Sequence, residues 1–310
     1  MTKVSIIIPI FGVEKYIERC ARSLFEQTLD DVEFIFVDDQ TKDNSLQVLD
    51  KVISKYPKRK SQITILHHET NMGLPQARRT GVFSATGEYV AHCDSDDWVE
   101  SSMYEEMYNF AKAGNYDIVS SGYYFSNERT FVPSKIQNRS KKLLQGPIWN
   151  KMVKRSIYVD NVINYPVANK AEDGALMTQL SYYANTIGYL SKPLYHYFTN
   201  PDSMTRILSE EECLNRLDQE KQNTALRMSF LESHGDIDIY KSDIIRWKWY
   251  TRNNLLPLFG KKNYYSLWLK TYPEINKQIL FNSAFSLREK IVFLLQLCRL
   301  YEYTKKIHQR

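Results

Sequence analysis

The first hundred residues predict an α/β fold built on a mostly parallel sheet. Four apolar or β-branched runs, at residues 3–10, 32–37, 63–67 and 88–93, read as buried strands. Stretches with helical spacing lie between them, at 13–28, 44–55 and 73–84. The connections are short. Strand and helix in strict alternation imply parallel strands with helices on both faces.

Each element has its own warrant. Residues 3–10 are β-branched almost throughout. In the first helix Ile17, Cys20, Leu24 and Phe25 share one face, and in the second Leu46, Leu49, Val52 and Ile53 point inward. Beyond residue 100 the alternation stops. A helix is expected at 100–112, with short strands near 117–125 and 129–133. The stretch Trp149-Asn-Lys-Met-Val-Lys-Arg is read as leading into a loop. Another helix opens at Glu172-Asp173 and runs to about Ala184. Strand-like segments follow at 186–190 and 193–197, and the chain is largely helical from about 209. No repeat and no Gly/Ser/Pro-rich linker interrupts it.

Composition narrows the class. With 310 residues, 43% hydrophobic and 25% charged, the chain is an ordinary globular protein. A net charge of +5 does not argue for nucleic acid as a partner. The 22 tyrosines suit either sugar and protein contacts or half-buried packing. Cys20, Cys93, Cys213 and Cys298 are widely spaced and form no CxxC pair. Reduced thiols, a cytoplasmic setting and no zinc site are expected. Met1-Thr-Lys runs straight into a strand, so no secretory leader is expected. No apolar run approaches the length of a membrane span.

Parallel sheets bind ligands at the carboxyl ends of their strands. Those ends carry Pro9-Ile10-Phe11, Asp38-Asp39 and Asp94-Ser95-Asp96-Asp97. The last stretch packs three carboxylates into four residues. Such crowding suits a hard divalent cation that also meets substrate phosphates. The other reading is a solvated acidic turn before the helix near Glu100. A shared sheet edge favours the cation.

These segments, together with Asn71-Met-Gly-Leu-Pro-Gln-Ala-Arg-Arg-Thr-Gly81, resemble in order the family 2 glycosyltransferases with the GT-A fold, of the bacterial surface-polysaccharide type. The resemblance covers roughly residues 3–206. It implies a GT-A domain over 1–208, with a nucleotide-binding half at about 1–100 and an acceptor half at about 101–208. A helical extension occupies 209–310. It also implies an inverting hexosyl- or N-acetylhexosaminyltransferase that takes a UDP-sugar, uses Mn²⁺ or Mg²⁺, and builds on a glycan or lipid-linked acceptor. By the same resemblance Asp39 accepts the uracil N3–H, flanked by Pro9 and Phe11. Arg78 lies near the nucleotide. Asp94 meets the ribose with Ser95 beside it, and Asp96 binds the metal with Asp97 as a helper. Asp173 is the general base, and Glu172 touches the acceptor.

Alternatives stay open at several positions. Asp38 and Asp43 are either ligand contacts or helix caps. Arg78 is a nucleotide contact or a surface ion pair. Glu172-Asp173 is a catalytic pair or an acidic first turn that suits the helix dipole. His196 is a metal ligand or a packing residue, and Arg206 is a phosphate contact. Trp149 stacks on a sugar or lies in the core. The family usually has Gly after the Asp pair, where this chain has Gln40, so the turn there is expected to differ. The stretch 286–310 mixes basic residues with Ile291, Val292, Leu294 and Leu295. It either packs on the domain or makes peripheral contact with the inner face of the membrane. A pyrophosphorylase is disfavoured, because no Gly-rich phosphate loop follows the first strand. A catalytically silent GT-A binding module is the rival from another class.

Overall fold

The computed structural model describes residues 1–125, 130–134, 143–144, 146–199 and 209–300. The chain divides into two compact units, Met1–Ser203 and Met204–Arg310.

The first unit holds a mixed sheet. Strands β1 (Val4–Ile10), β2 (Val32–Asp38), β3 (Ile63–His67) and β4 (Tyr89–His92) pair in parallel, in the order β3-β2-β1-β4. The sheet continues from β4 through β8 (Lys151–Lys154), β6 (Ile118–Phe125) and β9 (Ile187–Tyr197) to β5 (Trp98–Val99). β7 (Thr130–Val132) pairs with β6. β8 runs antiparallel to both of its neighbours, whereas β6 and β9 are parallel. The parallel reading of the first hundred residues therefore holds, and the sheet turns mixed beyond it.

Every residue of β1 is buried, as its apolar run requires. Alternation then sends its side chains to two cores. Val4, Ile6, Ile8 and Ile10 meet helices α1 (Ile17–Phe25), α2 (Ser45–Ile53) and α4 (Met103–Gly114). Ile7 faces the other way with Ile35 and Val37, against α3 (Leu74–Ser84), α5 (Arg155–Val159) and α6 (Glu172–Tyr183). Gly81 lets α3 lie close on β1, since a Cβ there would stand 2.3 Å from Ile7 Cγ2.

Two local details are added. Lys151–Lys154, to which the sequence assigned no element, is a strand inserted in the sheet. The segments at 186–190 and 193–197 are one strand, β9. Its interruption is a register shift against β6 on either side of Gly122. Gly122 faces the carbonyls of Val132 and Lys192, and a Cβ would press on both.

The second unit is helical: α7 (Glu210–Ser233), α8 (Lys241–Arg252), α9 (Tyr264–Lys270), α10 (Ile275–Phe281) and α11 (Leu287–Leu297). Trp249, Trp268 and Phe293 sit in its core. Ser286 and Glu289 form a capping box that starts α11. This helix buries Val292, Phe293 and Gln296 and leaves Leu287, Ile291 and Leu294 exposed. Among the described residues no helix is long and apolar enough to cross a membrane.

Candidate active site

The carboxyl ends of β1, β2 and β4 bring three groups of residues to one edge of the sheet. The acidic loop after β4 is sorted by its hydrogen bonds. Asp97 turns inward: Oδ2 accepts from Tyr195 Oη at 2.6 Å and Oδ1 from the Phe198 amide at 2.6 Å. Burial, then Asp96 and Asp94, push its pKa well above the carboxylate range. The Tyr195 hydroxyl also accepts from the Asp94 amide, and Arg19 Nη2 donates to the Asp96 carbonyl at 2.8 Å. Asp97 is thus a brace and not a helper at the metal. Asp94 and Asp96 stay partly exposed.

Beneath the loop lies Arg78, 2% exposed on α3. Its Nη2 donates to Asp94 Oδ1 at 2.8 Å. Its Nη1 donates to Asp173 Oδ1 at 2.6 Å and to Glu172 Oε1 at 3.1 Å. One guanidinium therefore gathers three carboxylates from two distant segments. Of the two readings of Arg78, the ion pair is what its terminal nitrogens make, in the interior and not at the surface. Burial alone would lower the Arg78 pKa, but Asp173, Asp94 and Glu172 raise it. Burial, then Asp173, push Glu172 up to about 8. Burial raises Asp173 too, against the pull of Arg78.

α6 begins on this pair. Ala171 precedes it at φ +60°, a left-handed conformation that is costly for a residue with a Cβ. Asp173 Oδ2 also accepts from the Ile148 amide at 3.3 Å. The pair thus stands in a helical first turn, as the dipole reading had it, and it also faces the site.

At the far side Asp39 is 2% exposed. Its Oδ1 accepts from the Met72 amide at 2.7 Å and its Oδ2 from the Gly73 amide at 2.8 Å. Gln40 keeps the turn that Gly would give by adopting φ +59°, with its Nε2 donating to the Glu69 carbonyl. Asp38 pairs with His67 and accepts from the Thr41 amide, so it does not cap α2. Asp43 does serve the start of α2, accepting from the Ser45 amide and hydroxyl.

Residues 5–187 match the model for glycosyl transferase family 2. The chain belongs to that family. It is 30% identical over 261 residues to the uncharacterised glycosyltransferase EpsJ of Bacillus subtilis, covering 78% of this chain and 73% of EpsJ. It is 30% identical over 235 residues to the cholesterol galactosyltransferase of Borreliella burgdorferi, covering 67% of this chain and 63% of that protein. The crystal structure of S. aureus TarS 1–349 with UDP-GlcNAc superposes with a TM-score of 0.61 at 18% identity, covering 97% of this chain and 89% of that one. The mannosyltransferase PcManGT of Pyrobaculum calidifontis, solved with GDP-Man and Mn²⁺, gives 0.57 at 14% identity, over 96% of this chain and 79% of that one. The fold is GT-A, with a helical C-terminal region.

Other residues that the family resemblance singled out fall as follows. Phe11 is 55% exposed at the end of β1, and Pro9 is buried within it. Ser95 is buried. Trp149 is 6% exposed, stacked on Tyr195 at 4.3 Å and on Tyr197 at 5.5 Å, so it sits in the core and does not offer a face to sugar. His196 is stacked between Trp98 and Tyr124, and its Nε2 lies 2.7 Å from Glu100 Oε1. Among the described residues no three His, Cys, Asp or Glu side chains form a metal-holding group. Arg206, and the tail beyond residue 300, lie outside the described residues. Cys20 and Cys93 are free and buried, as their apolar contexts suggested.

Sequence reasoning passed over Lys151. It is buried, and Nζ donates to Asn150 Oδ1 at 2.8 Å and to the Pro147 carbonyl. Burial lowers its pKa to about 8, with Asp173 opposing. The signal was there in Trp149-Asn-Lys, of which only the indole was given a role.

Proposed function

We propose that the chain is an inverting glycosyltransferase. It moves a hexosyl or N-acetylhexosaminyl unit from a UDP-sugar to a glycan or lipid-linked acceptor in bacterial surface-polysaccharide synthesis. The observation that carries this is the Arg78 hub, which brings the acidic loop and the Glu172-Asp173 pair to one edge of the sheet. TarS was solved with UDP-GlcNAc, which supports the donor class.

Asp96 offers carboxylate oxygens, with Asp94 beside it on an Arg78 that three carboxylates share. That donor set fits a hard divalent ion completed by substrate phosphates. Bound there, Mn²⁺ or Mg²⁺ supplies charge stabilisation for the leaving diphosphate. PcManGT, solved with Mn²⁺, supports the cation.

Asp173 accepts the proton of the acceptor hydroxyl. The acceptor oxygen attacks the anomeric carbon from the face opposite the diphosphate. The bond to the diphosphate oxygen breaks, UDP leaves with the electron pair, and the configuration inverts. Glu172, pushed up to about 8, holds its proton more tightly than an ordinary carboxyl. Its O–H is then a donor for an acceptor oxygen. Asp39 takes the base, with Phe11 beside it.

The exposed Leu287, Ile291 and Leu294, next to Arg288, support peripheral contact of a cytoplasmic enzyme with an anionic membrane face. Equal sedimentation with neutral and anionic vesicles would count against that contact.

The test is UDP release from a panel of UDP-sugars, with and without Mn²⁺, for wild type, Asp96→Ala and Asp173→Asn. One sugar should give metal-dependent release that Asp96→Ala abolishes. Asp173→Asn should abolish transfer while UDP still binds. A protein that turns over no donor and binds UDP without regard to metal is the silent binding module instead.

A further inference from the structure

β2 and β3 end side by side, with Asp38 and His67 in register. One residue further, Asp39 and His68 meet. His68 Nδ1 lies 2.7 Å from Asp39 Oδ1, and His68 Nε2 lies 2.9 Å from Thr80 Oγ1 on α3. Both side chains are nearly closed off, at 7% and 3% exposure. Neither histidine carried a role in the sequence, where the third strand is read as residues 63–67.

The hydrogen bonds fix the tautomer. The Met72 and Gly73 amides both point at the Asp39 carboxylate, which serves them as an acceptor. His68 therefore donates from Nδ1, and in the neutral ring Nε2 accepts from the Thr80 hydroxyl. Three N–H groups now converge on Asp39. A carboxylate has about four lone-pair sites, so about one is left. The carboxylate also cannot rotate, because two backbone amides and an imidazole hold both oxygens.

We propose that His68 is a positioning residue that makes Asp39 a fixed, acceptor-only reader of the donor base. This rests on the reading that Asp39 meets the base. A ring N–H, as at uracil N3, satisfies the remaining site. Cytosine presents a lone pair at N3, which faces the carboxylate with no hydrogen between them. A polar group left buried without its partner is what makes such discrimination large. Without the imidazole the carboxylate gains a free lone pair and a degree of rotation, so selectivity falls along with affinity. Thr80 completes the chain by fixing the ring.

The experiment is a comparison of UDP and CDP as competitive inhibitors of donor turnover, with kcat and the thermal midpoint measured alongside. His68→Phe keeps a ring and removes both nitrogens. His68→Asn returns an N–H near the Nδ1 position. Thr80→Val removes only the outer hydrogen bond. Loss of one positioned hydrogen bond worth about 1.4 kcal/mol is about tenfold in an equilibrium. His68→Phe should therefore lower the UDP/CDP preference about tenfold and raise the donor KM, while kcat moves about twofold or less. His68→Asn should recover most of the preference, and Thr80→Val should lose about threefold. Should His68→Phe fail to fold, Asn and Val at the two positions still give the ratio. If wild type prefers UDP and the ratio is unchanged in the folded variants, His68 is only a structural residue and the proposal is overturned alone. If wild type inhibition by UDP and CDP is equal, the base-reading role of Asp39 falls, and the proposal falls with it.

Discussion

The two ends of the site handle negative charge in opposite ways. At the ends of β2 and β3 every carboxylate has its own partner: Asp38 has His67, and Asp39 has His68 and two backbone amides. At the centre Asp94, Glu172 and Asp173 share a single guanidinium. A cluster in which each carboxylate has its own hydrogen-bond donors can recognise a ligand without changing. An unbalanced one holds its surplus at the cost of raised pKa values, and a cation or a proton relieves it. On the proposed reading the difference separates recognition from chemistry.

The comparison can be broken at the centre first. Asp173→Asn should lower kcat by about 10²–10⁴-fold with donor KM nearly unchanged, as loss of a general base does. An equal fall in donor affinity would move Asp173 out of the chemical step. Next comes the hub. Arg78→Met removes the donor that Asp94, Glu172 and Asp173 share, and urea titration should show a loss of about 3–5 kcal/mol. A small loss there would mean that the cluster protonates and needs no cation.

The third outcome is a pH dependence. Glu172 has a folded pKa of about 8, above its ordinary 4.5. Its protonated form favours the fold, fully below the unfolded value, and that contribution is lost as pH rises through the folded value. Glu172→Gln has no such proton to lose. The thermal midpoint of Glu172→Gln minus that of wild type should therefore climb between about pH 5 and pH 8; a flat difference would deny the shift. The smallest effect belongs to the balanced end. Gln40→Gly relieves a left-handed residue but loosens the unfolded chain, so stability should stay within about 1 kcal/mol. A loss well beyond that would give the Gln40 bond to the Glu69 carbonyl a structural value of its own.

Much of this molecule was legible in the sequence. The parallel strands were, because β1 and β2 bury both faces and leave no polar alternation to confuse them. The acidic loop and Glu172-Asp173 stood out by residue type, and the structure brings Asp94, Glu172 and Asp173 together on Arg78. Contacts across the sheet were not legible. Arg78 lies 94 positions from Glu172 and 95 from Asp173, and nothing local says that an arginine on an amphipathic helix will turn inward. Asp97 looked like its neighbours until Tyr195, from 98 residues further on, supplied a hydroxyl. Trp149 and His196 misled in the same way: an aromatic ring or an imidazole is as good at packing as at binding, and only their neighbours decide. Lys151 was hidden because a buried lysine and an exposed one read alike.

The opening of α3 touches everything that matters. The amides of Met72 and Gly73 hold Asp39. Leu74 and Gln76 hydrogen-bond to Asn169 and Pro166, on the approach to the acidic pair. Arg78 then reaches Asp94, Glu172 and Asp173. Gly73 sits at the tightest point: its φ is +86°, and a Cβ would come within 2.7 Å of Asn169 Oδ1. This short stretch is therefore a ruler. It sets how far Asp39 lies from the Glu172-Asp173 pair, so the spacing of two acidic groups is written into the backbone of one helix start. On the proposed reading these groups serve donor and acceptor, and loops can change around them while α3 keeps their distance.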